Sequence, residues 1–353
     1  MNTPRRPAEF AWFGALCDDD YEQLGVPHPE LRSSWKHCRD IVLEAERGGF
    51  DNILLPSGYD LGIDTMSFAS SIAPLTADIK LLVAVRCGET WPPQLARQLA
   101  TLNQTLGNRL TINIISSEMP GESLDGPARY RRTLEVMDIV RTIMQGRRVD
   151  HDGEFFSIHL DPPRICVEDP VDPAFYFGGL SNEARDVAAA GADIYLMWPD
   201  TEDMIRTTID DLRSRAARCG RNLRFGYRCH VVVRDTEEDA VAAAHHLIAA
   251  VDEDEGARIR ARSLDSQSTG VRRQAELRES AANDGFVEPH LWTGIGRARS
   301  GCGAAIVGTP RQVADKINRY RDLGIEAFIL SGYPHRDECA RFARDVLPLV
   351  RID

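Results

Sequence analysis

Arg228 and His230 stand two residues apart in the run Arg224-Phe225-Gly226-Tyr227-Arg228-Cys229-His230-Val231-Val232-Val233. An extended strand alternates its side chains between two faces, so a guanidinium and an imidazole share one face while Tyr227 and Cys229 take the other. If that face lines a pocket, it joins a fixed cation to a group that titrates near neutrality, which is equipment for holding an anion and moving a proton. If it faces outward, the same groups form salt bridges beneath packed helices. Alternation alone does not choose. Farther along, Leu330-Ser331-Gly332-Tyr333-Pro334-His335 places a phenol and a second imidazole just past an apolar run, and Met197-Trp198-Pro199 ends another run in a flat aromatic. Ordinary packing is the alternative for each.

A phosphate needs backbone N–H groups at a helix start. Tyr176-Phe177-Gly178-Gly179-Leu180-Ser181-Asn182-Glu183 offers glycines for close approach at Gly178 and Gly179, then a Ser181 or Asn182 N-cap with a helical pattern behind it. Asn113-Ile114-Ile115-Ser116-Ser117 and Arg86 end two more apolar runs in polar groups of the same ambiguity. No cluster suggests a metal site, a P-loop or a hydrolase triad. His245 and His246 are neighbours on a helical pattern and so point apart. The eight cysteines contain no C-x-x-C pair, which fits buried thiols in a reducing compartment.

These residues fall at the ends of eight short apolar runs, 10–16, 51–56, 79–85, 110–115, 174–177, 194–198, 223–233 and 327–331, separated by helical patterns such as 34–48, 93–106, 128–145, 182–190, 202–219 and 309–323. Strand alternating with helix eight times predicts an α/β (β/α)8 TIM barrel, whose sites lie at the C-terminal ends of the strands. An open doubly wound sheet is the rival, but no G-x-G-x-x-G follows any strand. The 353 residues are read as a single domain, 1–353, with two insertions. Residues 145–171 read as a small hairpin. Residues 251–299, polar and following the seventh strand, read as a mobile lid or a disordered excursion.

Composition narrows the function classes. With 43% hydrophobic residues, 27% charged residues and a formal charge of −12, the chain lacks the electropositive footprint of a nucleic-acid or anionic-membrane partner. Its apolar runs are too short to span a bilayer, and Met1-Asn2-Thr3-Pro4-Arg5-Arg6 has no apolar stretch behind it, so a cytoplasmic location is expected.

The stretches 113–117, 176–179, 226–234, Leu291-Trp292-Thr293-Gly294-Ile295-Gly296 and 330–335 together resemble the bacterial luciferase-like superfamily, most closely its two-component FMN-dependent alkanesulfonate monooxygenases, from about Phe10 to Leu349. That resemblance implies a flavin enzyme using FMNH2 and O2, fed by a separate NAD(P)H:FMN reductase and assembled as a homo-oligomer, dimer or tetramer. It implies catalytic roles for Arg228, His230 and Tyr333. By the resemblance, substrate contacts would come from Arg228, Arg299 and Trp198 and flavin contacts from Ser181 and Tyr130; the placement of the residues themselves adds His335 to the first set and Gly178, Gly179, Asn113, Ser116 and Arg86 to the second. Expected products are an aldehyde and sulfite. Two departures touch the rim. The family's cysteine after the second strand has no counterpart in Ser57-Gly58-Tyr59-Asp60-Leu61-Gly62, and its histidine after the first strand is replaced by Leu16-Cys17-Asp18-Asp19-Asp20. An acidic run is usually a solvated loop; polar groups here also suit a hydroxylated substrate such as the sulfosugar sulfoquinovose. A non-sulfonated metabolite and a deazaflavin-dependent oxidoreductase remain the other readings.

Overall fold

The computed structural model describes residues 7–251, 254, 256–257, 268–282, 284–299 and 301–351. Its strands are β1 (Glu9–Phe13), β2 (Asn52–Leu55), β3 (Lys80–Arg86), β4 (Leu110–Ile115), β5 (Val149–Asp152), β6 (Ser157–Leu160), β7 (Phe175–Phe177), β8 (Ile194–Met197), β9 (Arg224–Val233), β10 (Phe286–Glu288), β11 (Leu291–Trp292), β12 (Ala305–Gly308) and β13 (Ala327–Ser331). β13, β1, β2, β3, β4, β7, β8 and β9 run parallel, and the β8–β9 and β9–β13 pairings close them into a ring. This is the (β/α)8 barrel expected from the sequence, built from the eight runs named above.

The described helices are α1 (Trp35–Arg47), α2 (Thr65–Ile72), α3 (Pro92–Thr105), α4 (Gly126–Met144), α5 (Arg164–Glu168), α6 (Asn182–Gly191), α7 (Glu202–Arg218), α8 (Glu237–Leu247), α9 (Thr269–Glu279), α10 (Pro310–Leu323), α11 (His335–Asp345) and α12 (Leu347–Val350). Local chemistry sets their starts. Ser34, Asp64, Asp125, Ser181, Thr201, Thr236, Ser268 and Thr309 each accept a backbone N–H of the first turn, and Thr309 with Gln312 completes a capping box. Gly49 and Gly220 take φ of +77° and +66° just past their helices, where a side chain would be strained.

Packing divides the barrel into two layers. Outward side chains of the strands, including Phe10, Trp12, Val83 and Tyr227, bury against the helices; Tyr227 stacks on Tyr320 of α10 with centroids 4.4 Å apart. Inward side chains form a smaller core of Ala11, Phe13, Leu54, Leu82, Tyr176, Ile194, Ala327 and Ile329. At the N-terminal end of that core, Glu9 anchors a polar layer. Its carboxylate accepts hydrogen bonds from Lys80 at 3.0 Å, from Asn52 at 3.2 Å and from the Tyr176 hydroxyl, while Asn52 also donates to Thr111 at 3.0 Å. Burial favours the neutral acid, yet the Lys80 charge and these donors outweigh it and hold Glu9 below its ordinary range.

β5 and β6 form the expected hairpin within 145–171. The 251–299 insertion contains α9 and the antiparallel pair β10–β11; most of residues 252–267 lie outside the described residues. The sequence reading missed β12. It pairs parallel with β9, Ala305 opposite His230 and Gly308 opposite Val233, because β9 continues beyond the barrel ring and offers a free edge there.

Candidate active site

β9 settles which way its alternation faces. Arg228 and His230 point into the barrel, because their register partners on β13 are the inward Ile329 and Ser331. The Arg228 guanidinium lies 4.4 Å from the centroid of the inward Phe13 ring. Ser331 links the two groups: Arg228 Nη2 donates to Ser331 Oγ at 2.8 Å, and Ser331 Oγ is 2.7 Å from His230 Nδ1. His230 Nε2 is 3.2 Å from the carbonyl oxygen of Cys302, which can only accept, so the ring carries its proton on Nε2 and takes the Ser331 hydroxyl proton at Nδ1. Burial, then the Arg228 and Arg299 charges, push the His230 pKa well below its usual value. Both ring nitrogens of a neutral imidazole are thus engaged.

Arg228 is 4% exposed, and its printed partners are neutral, the Cys229 carbonyl at 2.8 Å and Ser331. No carboxylate faces it among the described residues, and burial lowers its pKa. A buried guanidinium without a counter-charge is costly unless an anion completes it. Arg299, by contrast, is neutralised: both Nη atoms lie 3.2 Å from Asp19 Oδ2, and Nη1 donates to the Tyr333 hydroxyl. Tyr333 stacks on His230 at 5.2 Å and meets His335 edge-on at 5.0 Å. Burial raises its phenol pKa despite the Arg299 charge.

The acidic run after β1 is no solvated loop. Asp20 is 4% exposed and accepts from His335 N and Nδ1, each at 2.9 Å, and from His37 Nε2 at 2.8 Å. Burial opposes its ionisation, but the two histidines outweigh that and hold its pKa well below the usual carboxylate range. Asp19 pairs with Arg299 through one oxygen, and its other, Oδ1, is buried without a partner. Asp18, at φ +50°, accepts from Ser33 N at 2.8 Å and Gly62 N at 3.2 Å, tying this loop to the one after β2. The same contact brings Cys17 to that loop: a Cβ on Gly58 would meet its Sγ at 3.1 Å. A thiol of the β1 loop thus lies against the loop after β2, which has no cysteine of its own.

A cavity of about 260 Å³ lies beside this cluster, lined by Asn113, Ser116, Tyr130, Ser181 and Trp198 among others, with Gly178 and Gly179 between them. A Cβ at Gly178 would fall 2.4 Å from Leu196 O, and one at Gly179 would fall 2.6 Å from Ala184 Cβ, so only glycine lets the chain pass there. Two helix starts border the cavity, at Ser181 of α6 and at Ser268-Thr269-Gly270 of α9. Ser117 Oγ, on its wall, is buried without a partner. Trp198 is flanked by one glycine within the insertion and one just after it: a Cβ at Gly270 would lie 2.9 Å, and one at Gly301 3.3 Å, from its ring.

Of the residues named from the sequence, Arg228, His230, Arg299, Tyr333 and His335 converge in one cluster, and Asn113, Ser116, Tyr130, Gly178, Gly179, Ser181 and Trp198 surround the adjoining cavity. Arg86 joins neither group: it turns to Ser57 O at 3.3 Å and to Glu89 at 3.0 Å. The acidic run was read only as suiting a hydroxylated substrate, and the pairing of Asp19 with Arg299, the hold of Asp20 on His335, and the places of Cys17 and Ser268 were not read from the sequence. The sole signal for the acidic run was its place after the first strand. No group of three or more His, Cys, Asp or Glu side chains suited to a metal occurs among the described residues, and none of the described helices is long and apolar enough to cross a membrane.

Comparison with known proteins gives a consistent picture. The sequence pattern of the luciferase-like monooxygenases matches residues 10–327. A sulfoquinovose monooxygenase of Novosphingobium aromaticivorans is 60% identical over 347 residues, covering 96% of each chain. Another of that name from Agrobacterium fabrum is 49% identical, covering 98% of this chain and 90% of its own. Among solved structures, a riboflavin lyase superposes with a TM-score of 0.79 at 17% identity over 98% of this chain and 92% of its own. A long-chain alkane monooxygenase gives 0.77 at 18% identity over 97% and 91%. At such identities these two show the fold alone.

Proposed function

The chain belongs to the luciferase-like monooxygenase family, and from that premise we propose that it oxidatively desulfonates a sulfosugar, sulfoquinovose, to an aldehyde and sulfite. The observation that carries the reading is Arg228, a buried guanidinium with no counter-anion among the described residues, set near the paired Arg299. Its planar fork matches the oxygens of a sulfonate. The unpartnered Asp19 Oδ1 is an acceptor suited to a sugar hydroxyl.

The residues present fit FMN. The α6 N-terminus with Ser181, the glycine passage at Gly178 and Gly179, and the orphaned Ser117 Oγ make a phosphate cradle, with Tyr130, Asn113 and Ser116 on the remaining wall. Reduced by a separate NAD(P)H:FMN reductase, FMN bound there supplies the electrons with which O2 oxidises the carbon bearing sulfur. The chain's own part is positioning. Arg228 and Arg299 fix the sulfonate, Trp198 and the insertion lean over the cavity and exclude water, and His230, kept neutral, braces Tyr333 without competing for the anion. A homo-oligomer, dimer or tetramer, completes the proposal.

The test is sulfite release by the purified protein with a generic flavin reductase, NADH, FMN and O2, across short alkanesulfonates and sulfoquinovose. Sulfite from sulfoquinovose above the enzyme-free background supports the reading. None from any sulfonate, with FMN binding confirmed, overturns it.

A further inference from the structure

Desulfonation requires a base. Once the carbon bearing sulfur is hydroxylated, the adduct R–CH(OH)–SO3⁻ yields R–CHO and SO3²⁻ only when its hydroxyl proton is removed. The O–H electrons become the second C–O bond, and the C–S pair leaves with sulfite. His230 is poorly placed to receive that proton, because its Nε2 donates to Cys302 O and its Nδ1 is taken by Ser331. Tyr333 already carries its proton and accepts from Arg299.

His335 differs from both. It is wholly buried, its Nδ1 is fixed on Asp20 Oδ1 at 2.9 Å, and its Nε2 has no partner among the described residues. In the neutral ring, donation from Nδ1 to the carboxylate leaves the lone pair on Nε2. Asp20 cannot turn away, since its Oδ1 also holds His335 N and its Oδ2 holds His37. Phe13 is the shared neighbour of the two groups that matter. Arg228 stands 4.4 Å from its ring centroid, and the His335 ring centroid is 5.8 Å away. Arg228 and His335 thus flank the same ring, and Nε2 is a buried imidazole nitrogen of this cluster with its lone pair uncommitted among the described residues.

Resting on the sulfonate reading above, we propose that His335 Nε2 is the base that takes the hydroxyl proton in C–S cleavage, and that Asp20 is its positioning residue, supporting the imidazolium that forms. The departing sulfite stays on Arg228, and the step consumes no oxidant or reductant. A carboxylate behind an imidazole whose far nitrogen meets the reacting group is the arrangement that general-base chemistry calls for.

Two arms test this. In the complete system with reductase, NADH, FMN and O2, His335→Gln and Asp20→Asn are expected to lower kcat for sulfite release ~10²-fold, with KM for sulfoquinovose and FMN affinity within about threefold of wild type. A merely structural role would move KM and flavin binding along with kcat. Should His335→Gln fold poorly, His335→Gly assayed with added imidazole replaces it, and roughly tenfold recovery of kcat is expected. In the second arm no flavin is present: the bisulfite adduct of glyceraldehyde, itself an α-hydroxysulfonate, is mixed with the protein, and aldehyde and sulfite release are followed. Wild type is expected to break it down faster than buffer, and His335→Gln is not. Sulfite release unchanged in His335→Gln, or adduct breakdown by wild type no faster than buffer, overturns the assignment. Absence of sulfite from wild type in the complete system would instead count against the sulfonate reading itself.

Discussion

The two ends of the barrel are built from similar polar groups and treat them in opposite ways. At the N-terminal end, Glu9, Lys80, Asn52, Thr111 and Tyr176 satisfy one another, and their carboxylate is matched by a lysine. At the C-terminal mouth, among the described residues, Arg228 lacks a counter-charge, and Asp19 Oδ1, Ser117 Oγ and His335 Nε2 are buried without partners. A completed network rigidifies, whereas an incomplete one costs stability and is retained where a ligand completes it. Unpartnered buried atoms also occur elsewhere, as at the Tyr227 and Tyr320 hydroxyls, so it is the uncompensated cation beside them that marks the mouth as a site before any likeness to another protein is considered.

The sharpest test of this contrast is Arg228→Met. Removing the uncompensated cation is expected to lower kcat/KM for sulfite release by about 10³-fold, as befits loss of a buried charge contact to the substrate. It should leave FMN affinity unchanged and raise unfolding free energy by about 1–2 kcal/mol, read by urea denaturation. A destabilised variant would show that the mouth is as complete as the base. Next in size, Gly178→Ala drives a Cβ to 2.4 Å from the backbone Leu196 O, so the chain must move in the phosphate cradle, and FMN binding, followed by flavin fluorescence, is expected to weaken roughly 100-fold, equivalent to about 3 kcal/mol.

At the other end, Glu9→Gln is expected to cost about 2 kcal/mol of stability by urea denaturation while kcat stays within about twofold of wild type. A large loss of kcat with stability intact would erase the division between the ends. The smallest effect is in acid. Glu9 is held below its unfolded value, so its stabilisation is complete above that value and is lost as pH falls through the folded pKa. The stability gap between wild type and Glu9→Gln should therefore shrink as pH drops from about 5 to about 3.

What was legible in the sequence follows from range. The eight barrel strands are short apolar runs flanked by caps and glycines, so each carries its own signal; Ser181 and Thr309 even sit at their N-caps. β12 carried little: four residues, Ala305–Gly308, emerge from a glycine-rich stretch and become a strand by pairing with the overhang of β9. The inward face of Arg228 and His230 was undecidable from alternation, because both faces of β9 are buried. Asp20 was illegible for a different reason. Its partner His335 lies 315 positions away, and nothing local distinguishes it from Asp18, which merely ties two loops. Cys17 shows the same limit, since its nearness to Gly58 exists only once two βα loops meet.

Trp198 has one further consequence. The chain touches its indole at Gly270, departs through α9 and the β10–β11 pair, and touches it again at Gly301. An excursion whose two feet stand on one side chain has its loop closure fixed at the base, and closure entropy grows only slowly with the length of what lies between. The span between the feet can therefore change in length at small entropic cost, provided that its far end still delivers Arg299 to Asp19 and Tyr333.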